Sequence, residues 1–435
     1  MMCRALILGA VLLLSACGAP DDRTSIVIQR FFGECGAQYG SNKNVAIAES
    51  ECGILTTLIN KFEAENPDVR IRINVVAWPG YAQLSAQIAA GDPPDLVTMH
   101  QSVISDYQAR GLLEPMDEIL MDAGISKDSF TPAGRSGVIK NGRVFAMPWD
   151  TIGGLFHVNT GLMAKAGLMR DGRPIMPQSP AELLDQARQF QQATGKPYLI
   201  QAQVNDPATH VRNLYTFLLA KNVIIFPDAR HIRINTPEAR EIVLLLRQLY
   251  REKLTSQNQD FSAATQSFTN GQGGIFPVGT WMIGPYDQEA RNPARPLYRQ
   301  YAVVPYPTLW GQPAAFVDGH AWIMPKQETT PQERKVISRF LGFLAAHNYD
   351  WTRTGHLPAF KSVLETDAFK LLPHRADIAA MAATGGQLPD YVQRQSAIQG
   401  LLAEEIEAAV SGLKPVDAAL RDAERRVNEM LAEML

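Results

Sequence analysis

The feature that constrains the fold most is an alternation of predicted strands and predicted helices in the N-terminal part of the chain. Ile26-Val27-Ile28 predicts a strand, and apolar residues at helical spacing between Ile54 and Phe62 predict a helix that ends at Asn66-Pro67. Alternating apolar residues then predict a strand over 69–76, followed by a helix over 81–90 and another strand after Pro94. This rhythm indicates an α/β fold with a mostly parallel sheet.

The remaining chain adds helices rather than a separate second unit. A chain of 435 residues is too long for one ordinary domain, so we expect two lobes with separate cores. Thr236-Pro237-Glu238 marks a helix start, and the C-terminal segment predicts two amphipathic helices, the last one capped by Asp417. Because no Gly/Ser-rich linker divides the chain, we expect the lobes to be interwoven.

The charge balance argues against a polyanionic partner. The sequence has 41 basic and 44 acidic side chains, which gives a formal net charge of -3. These charges are spread along the chain, without the basic patch that nucleic-acid binding requires. We therefore expect no nucleic-acid partner.

The N-terminus has the form of an export signal. Arg4 precedes an apolar run over 5–14, which is shorter than the roughly 20 residues of a spanning helix. Leu14-Ser15-Ala16-Cys17 resembles a bacterial lipobox, with ordinary signal cleavage nearby as the alternative. Residues 1–17 are thus expected to direct export to the periplasm or cell surface, where lipid on Cys17 anchors the protein to a membrane.

Cysteine usage agrees with an oxidising compartment. The chain has four cysteines, and if Cys3 leaves with the signal and Cys17 carries lipid, Cys35 and Cys52 remain. An even pair in an exported protein predicts a disulfide. A metal site is the weaker alternative, because two thiols do not complete a tetrahedral ligand set.

A series of separated motifs resembles the extracellular solute-binding proteins of the family that includes maltose-, trehalose- and glycerol-phosphate-binding proteins. Each motif is weak alone, but their order and spacing match over most of the chain. They are residues 58–67 (LINKFEAENP) with Trp78, 90–97 (AGDPPDLV), 111–116 (GLLEPM), 141–149 (NGRVFAMPW), 268–275 (FTNGQGGI), 279–281 (GTW), 318–322 (DGHAW) and 354–358 (TGHLP). His157-Val158 departs from the family, which commonly has Tyr-Tyr-Asn where this chain has 157–159.

The resemblance implies a periplasmic-binding-protein fold, in which two α/β lobes joined by crossing strands close on a ligand by hinge motion. It implies that residues 24–148 and 303–346 form one lobe, and residues 149–302 and 347–435 the other. It also implies a monomer without a cofactor that delivers its solute to the permease subunits of an ABC importer.

Candidate ligand-binding residues follow from strand ends and from the resemblance. Because ligands bind at the carboxyl ends of strands in α/β sheets, strand ends and the lobe crossing indicate Phe32, Glu34, His100, Gln101, Ser102, Trp149, Asp150, Asn205 and His210. The resemblance adds Trp281, which matches a sugar-stacking position, and Gly319-His320, which match a turn lining the cleft. Each has an alternative: core packing for a tryptophan or histidine, and a solvated turn or helix cap for Glu34 and Asp150.

These residue types suit a sugar, whose hydroxyls need acid and amide partners and whose CH faces stack on aromatic rings. A polyol or a glycerol-phosphate-type solute is the alternative ligand, for which Arg212 or Arg353 would bind the phosphate. A binding protein serving a receptor is an alternative role. An exported glycoside hydrolase is disfavoured because no carboxylate pair stands out and no catalytic motif occurs, so we expect neither catalytic residues nor a bound metal.

Overall fold

The computed structural model describes residues 21–433, so the expected signal segment, Cys3 and Cys17 lie outside the described residues. Strands and helices alternate from the start of this region. The strands are β1 Thr24–Arg30, β2 Val69–Val75, β3 Leu96–His100, β4 Ile139–Lys140, β5 Arg143–Val144, β6 Ala146–Pro148, β7 Asp150–Asn159, β8 Met169–Arg170, β9 Arg173–Pro174, β10 Ile275–Gly279, β11 Tyr301–Val304, β12 Ala315–Asp318, β13 His320–Ile323, β14 Leu357–Pro358 and β15 Gly385–Gly386.

Helices connect the strands and form the C-terminal part. The α-helices are α1 Gly36–Tyr39, α2 Ser50–Glu65, α3 Tyr81–Ala90, α4 Gln101–Ala109, α5 Asp117–Asp122, α6 Pro132–Val138, α7 Thr160–Lys165, α8 Pro180–Thr194, α9 Pro207–Ala220, α10 Pro237–Arg251, α11 Phe261–Thr269, α12 Ile283–Arg291, α13 Pro331–Ala346, α14 Asn348–Thr352, α15 Lys361–Leu364, α16 Asp367–Lys370, α17 Arg375–Ala383, α18 Gln395–Ser411 and α19 Val416–Ala432. Short 3-10 helices span Val45–Ile47, Lys127–Ser129 and Thr280–Met282.

The first sheet is built on the strand-helix rhythm of the N-terminal sequence. Its strand order is β2-β1-β3-β13-β6, and β1 is parallel to both β2 and β3. β13 runs antiparallel to β3, so that its first residue, His320, lies opposite His100 at the end of β3. The carboxyl ends of three parallel strands and the start of β13 therefore meet at one edge of this sheet.

The second sheet does not follow the mostly parallel expectation. The long strand β7 is its centre and pairs antiparallel with β10, β11, β12 and β14, while β12 and β15 are parallel. These partners come from segments far from β7 in sequence. Helix–strand alternation at the N-terminus therefore predicted the α/β class but not the direction of this second sheet.

Each sheet has its own hydrophobic core, which defines two interwoven α/β lobes. The chain passes from the first lobe to the second between β6 and β7, returns between β12 and β13, and crosses again after α16. The expected bounds differ from this division in two segments. Residues 303–318 belong to the second sheet because β11 and β12 pair with β7, and the segment from Trp351 to Phe369 packs in the first core.

Two local features complete the fold. Cys35 and Cys52 form a disulfide with a sequence separation of 17, and the chain-entropy description gives a closed loop of this size about 3 kcal/mol of stabilisation. The last helix begins after Pro415, and Asp417 binds Arg240 instead of capping, which corrects the expected cap. Among residues 21–433, no helix is both long and apolar enough to cross a membrane.

Candidate solute-binding cleft

A cavity of about 290 Å³ lies between the two lobes. Strand ends of the first lobe form one wall, since Phe31 and Phe32 follow β1, Trp78 follows β2 and His100 ends β3. The first lobe contributes Phe31, Phe32, Glu51, Trp78, His100 and His320, and the second contributes Ile152, Asn205, Asp206, Ala208, Arg212, Phe261 and Trp281. Such a mixture of aromatic and convergent polar side chains is typical of a small-molecule site.

Two tryptophans from different lobes flank an arginine in this cavity. Trp78 is 45% exposed, and Trp281 is partly buried in the 3-10 turn after β10. The Arg212 guanidinium lies 5.1 Å from the Trp281 ring centre and 6.0 Å from that of Trp78. Burial lowers the pKa of Arg212, although Asp206 and Asp318 oppose this, and a guanidinium still remains charged at neutral pH.

The N–H donors of the Arg212 side chain have no acceptor within the described part of the chain. Among residues 21–433, its guanidinium forms no ion pair within 4.0 Å and no hydrogen bond. Asp206, the nearest acidic wall residue in sequence, instead accepts hydrogen bonds from the amides of Ala208 and Thr209 at the start of α9. The donors of Arg212 are therefore available to a molecule in the cavity.

A buried carboxylate organises the floor of the cleft. Asp150 is fully buried, and it accepts hydrogen bonds from the His320 amide at 2.7 Å and from Trp351 Nε1 at 2.6 Å. His320 Nδ1 lies 2.8 Å from the same carboxylate. Burial would raise the pKa of Asp150, but His320 and His356 outweigh it and lower that pKa to about 2. Burial opposes protonation of His320, yet Asp150 raises its pKa.

His100 presents a neutral ring to the same cavity. Burial, followed by the charges of His320 and Arg212, lowers the pKa of His100 well below its usual value. The Tyr81 hydroxyl accepts a hydrogen bond from the His100 amide at 3.0 Å and lies 2.6 Å from His100 Nδ1. Because the Tyr81 hydroxyl occupies Nδ1, Nε2 is the ring nitrogen that remains for a molecule in the cleft.

The structure brings part of the predicted site together. The predicted residues that line the cavity are Phe32, His100, Asn205, Trp281 and His320. Behind them, Gln101 Nε2 donates to the Asp150 carbonyl at 3.2 Å, and Ser102 donates to Asp318 at 2.6 Å. A Cβ at Gly319 would collide with the Asp150 carbonyl oxygen, so close packing requires glycine there. These residues support the wall and do not form it.

Three predicted residues lie elsewhere. Trp149 is fully buried in the first core, because its ring packs 5.4 Å from that of Trp351. Glu34 is exposed and accepts a hydrogen bond from the Gly36 amide, as a turn carboxylate does. His210 is buried on α9, where Nε2 lies 3.4 Å from the Gln203 carbonyl, and burial lowers its pKa. The core or turn alternative holds for all three.

Sequence reasoning missed several wall residues. Phe31 follows the same strand end as Phe32, and Trp78 follows β2, so the strand-end argument applied consistently would have found both. Glu51 and Phe261 lie on helices and had no such signal. Arg353, the other arginine considered for a phosphate, donates to the carbonyl oxygens of residues 45, 46 and 48 and ties down that loop.

Comparison with known proteins identifies the family. A family profile described as bacterial extracellular solute-binding protein matches residues 57–377, which is most of the chain. The chain belongs to this family. The putative binding proteins of Brucella abortus (strain 2308) and Brucella suis biovar 1 (strain 1330) are each 24% identical to it over 384 residues, covering 85% of this chain and 88% of theirs.

Solved structures of the same fold include sugar-binding proteins, as the resemblance implied. The GacH receptor of Streptomyces glaucescens, solved unliganded and with acarbose, has a TM-score of 0.78 at 16% identity and covers 94% of this chain and 98% of its own. Maltose-bound MalE3 of T. maritima has a TM-score of 0.77 at 18% identity, with coverages of 94% and 100%. The solute-binding family and the two-lobed α/β fold predicted from the motifs are thereby confirmed.

The different positions of the tryptophans predict different effects of truncation. Trp149→Ala should lower the free energy of unfolding by about 3 to 5 kcal/mol, because it removes a fully buried ring and leaves a cavity. Trp78→Ala is the matched control and should lower it by only about 1 kcal/mol, because that ring is 45% exposed. Denaturant unfolding measures both. Equal losses in the two variants would contradict this placement of Trp149.

Proposed function

We propose that this protein captures a carbohydrate in the interlobe cleft and hands it to the permease of an ABC importer, without chemical change to the solute. The main support for this proposal is the cavity itself, in which each lobe contributes a tryptophan and polar side chains. Flat rings suit the CH faces of a sugar, while Asn205, Asp206 and His100 Nε2 suit its hydroxyls. Acarbose and maltose in structural neighbours support this solute class.

The division of the wall between lobes supports capture by closure. A solute that contacts both Trp78 and Trp281 binds the closed arrangement better than an open one, and this difference in affinity drives closure. The crossings beside β7 and β13 are the segments about which such a hinge motion would occur. Import also requires release, which reopening at the permease would provide.

The Trp281 variant tests this proposal. Trp281→Ala should weaken binding of a maltose-type oligosaccharide by roughly ten- to a hundredfold, about 1 to 3 kcal/mol, because it removes a stacking platform. Calorimetry measures affinity, after a thermal-shift screen of oligosaccharides has identified a ligand. Trp310→Ala is the matched control, since Trp310 packs on Phe217 and binds Glu241 outside the cavity. Equal affinity in both variants, or recovery of a cleaved sugar, would contradict the proposal.

The N-terminal sequence supports membrane attachment of this binding protein. Leu14-Ser15-Ala16-Cys17 suits lipid modification of Cys17, and a lipid-held protein stays close to its permease. Cys17→Ala should therefore release the protein from the membrane fraction or block its processing, while Cys3→Ala should do neither. Fractionation and intact mass measure the outcome. The anchor would be refuted if Cys17→Ala differed in mass from the unmodified protein only by the substitution itself and had the same membrane distribution.

Arg212 favours a second candidate, a solute with an anionic group such as a sugar phosphate or a uronic acid. Its half-buried guanidinium has no partner among residues 21–433, and a partly desolvated charge is stabilised when a counter-charge arrives. An anionic solute would supply charge-assisted hydrogen bonds, whereas a neutral sugar would supply weaker ones.

Paired neutral and anionic sugars separate the two candidates. If the solute is anionic, Arg212→Gln should weaken its binding by about ten- to a hundredfold, as loss of a hydrogen bond to a charged group implies. The exposed Arg230→Gln should leave affinity unchanged. Tighter binding of glucose than of glucose phosphate and glucuronate to the unmodified protein would reject this candidate and leave the neutral carbohydrate.

A further inference from the structure

Glu51, His320 and His356 meet at one end of the cleft. Each offers a nitrogen or oxygen atom that could bind a metal ion, and these atoms lie within 4.8 Å of one another. Both histidines are buried, and the side chain of Glu51 is 21% exposed. The three residues come from α2, from the first residue of β13 and from the segment before β14, so tertiary folding alone assembles the cluster.

The outer nitrogens of both imidazoles are held by neighbours. His320 Nδ1 lies 2.8 Å from Asp150, and His356 Nδ1 lies 3.0 Å from the buried Thr280 hydroxyl. His356 thus keeps Nε2 for the cluster, where it lies 2.8 Å from a Glu51 oxygen. In His320, Nε2 is the ring nitrogen that Asp150 does not hold. Metal-binding histidines are generally oriented in this way, with the second ring nitrogen on a carboxylate or another polar group.

The dimensions suit a small divalent ion. Zinc binds imidazole nitrogen and carboxylate oxygen at about 2.0 to 2.2 Å in tetrahedral geometry, so its ligand atoms lie roughly 3.3 Å apart. In this cluster His356 Nε2 and a Glu51 oxygen are 2.8 Å apart, and no two ligand atoms are more than 4.8 Å apart, so small side-chain shifts would give zinc distances. The two ring centres are 5.7 Å apart, which is compatible with two imidazoles that share one ion.

Charge and donor type indicate which ion would fit. When both imidazoles have lost their extra protons to become ligands, Glu51 and the fully buried Asp150 leave two negative charges, which a divalent ion would balance. Two nitrogens and one oxygen favour zinc or a similar transition metal, whereas magnesium and calcium prefer oxygen ligands. Glu51 and His320 also line the cleft, so a fourth position would face the bound solute.

We propose that Glu51, His320 and His356 form a zinc-type metal site at the wall of the solute cleft, with Asp150 and Thr280 orienting the two imidazoles. The site rests on the geometry of the cluster and does not depend on the solute being a carbohydrate. Hydrogen bonding between the same groups without a metal is the opposing interpretation.

Zinc binding to the untagged, chelator-stripped protein tests the site. We expect one Zn²⁺ per chain by calorimetry and by elemental analysis after desalting, no Mg²⁺ binding, and a visible spectrum of low-symmetry Co²⁺ on cobalt substitution. His356→Gln can keep hydrogen bonds within the cluster but loses the ligand, so it should bind Zn²⁺ at least about a hundredfold more weakly. Thr280→Val should weaken binding by about ten- to a hundredfold, as expected for an orienting partner.

Two further variants keep the test decisive. Glu51→Gln replaces the partly exposed ligand and is the alternative if His356→Gln does not fold, as judged by its melting temperature without metal. His231→Gln alters an exposed histidine paired with Asp228 and should bind Zn²⁺ as the unmodified protein does. Absence of Zn²⁺ binding, or equal binding by the unmodified protein and the ligand variants, would overturn the site and support the hydrogen-bonded network instead.

Discussion

The buried charge of Asp150 is the constraint on which the arrangement of the cleft depends. A carboxylate with no exposed surface is tolerated only when its oxygens are satisfied, and Asp150 meets this condition through His320 and Trp351. These partners belong to β13 and α14, while Asp150 begins β7. One carboxylate therefore joins three segments at the crossing between lobes. The neighbouring peptide is fixed as well, since Asn348 donates to the Trp149 carbonyl at 2.7 Å.

This junction explains why the first wall of the cleft is well defined. His320 is held by Asp150 on one side and lies opposite His100 in the sheet register. Phe31 stacks on His100 with ring centres 5.1 Å apart, and Phe32 meets the edge of His320 at 5.0 Å. The buried carboxylate thus positions the His320 imidazole, and the imidazole in turn positions the aromatic rings of the wall. Side chains fixed before binding lose less entropy when a solute arrives.

The sequence predicted the parts of this arrangement that depend on local pattern. The helix over 81–90, the start of the helix at Thr236-Pro237 and the strand ends bearing Phe32 and His100 follow from periodicity and turn residues. Trp149 shows the limit, because its Pro and Asp neighbours indicate a turn but do not reveal on which side of the sheet the ring packs. The antiparallel partners of β7 and the contact between Glu51 and His356, 305 residues apart, arise only from tertiary folding.

The two walls of the cleft also differ in whether their charged side chains have a partner within the protein. In the first lobe, carboxylates and imidazoles lie within hydrogen-bonding distance of one another, as Asp150 with His320 and Glu51 with His356 show. In the second lobe, Arg212 contacts the faces of Trp281 and Trp78 and keeps its donors for the cavity. A bound solute that displaces water from the cavity would strengthen the hydrogen bonds and ion pairs of that guanidinium, since electrostatic energies rise as the local dielectric constant falls. Under the anionic-solute candidate, recognition by charge would therefore rest on Arg212 of the second lobe, while the aromatic rings and hydrogen-bonded imidazoles of the first lobe would shape the opposite wall.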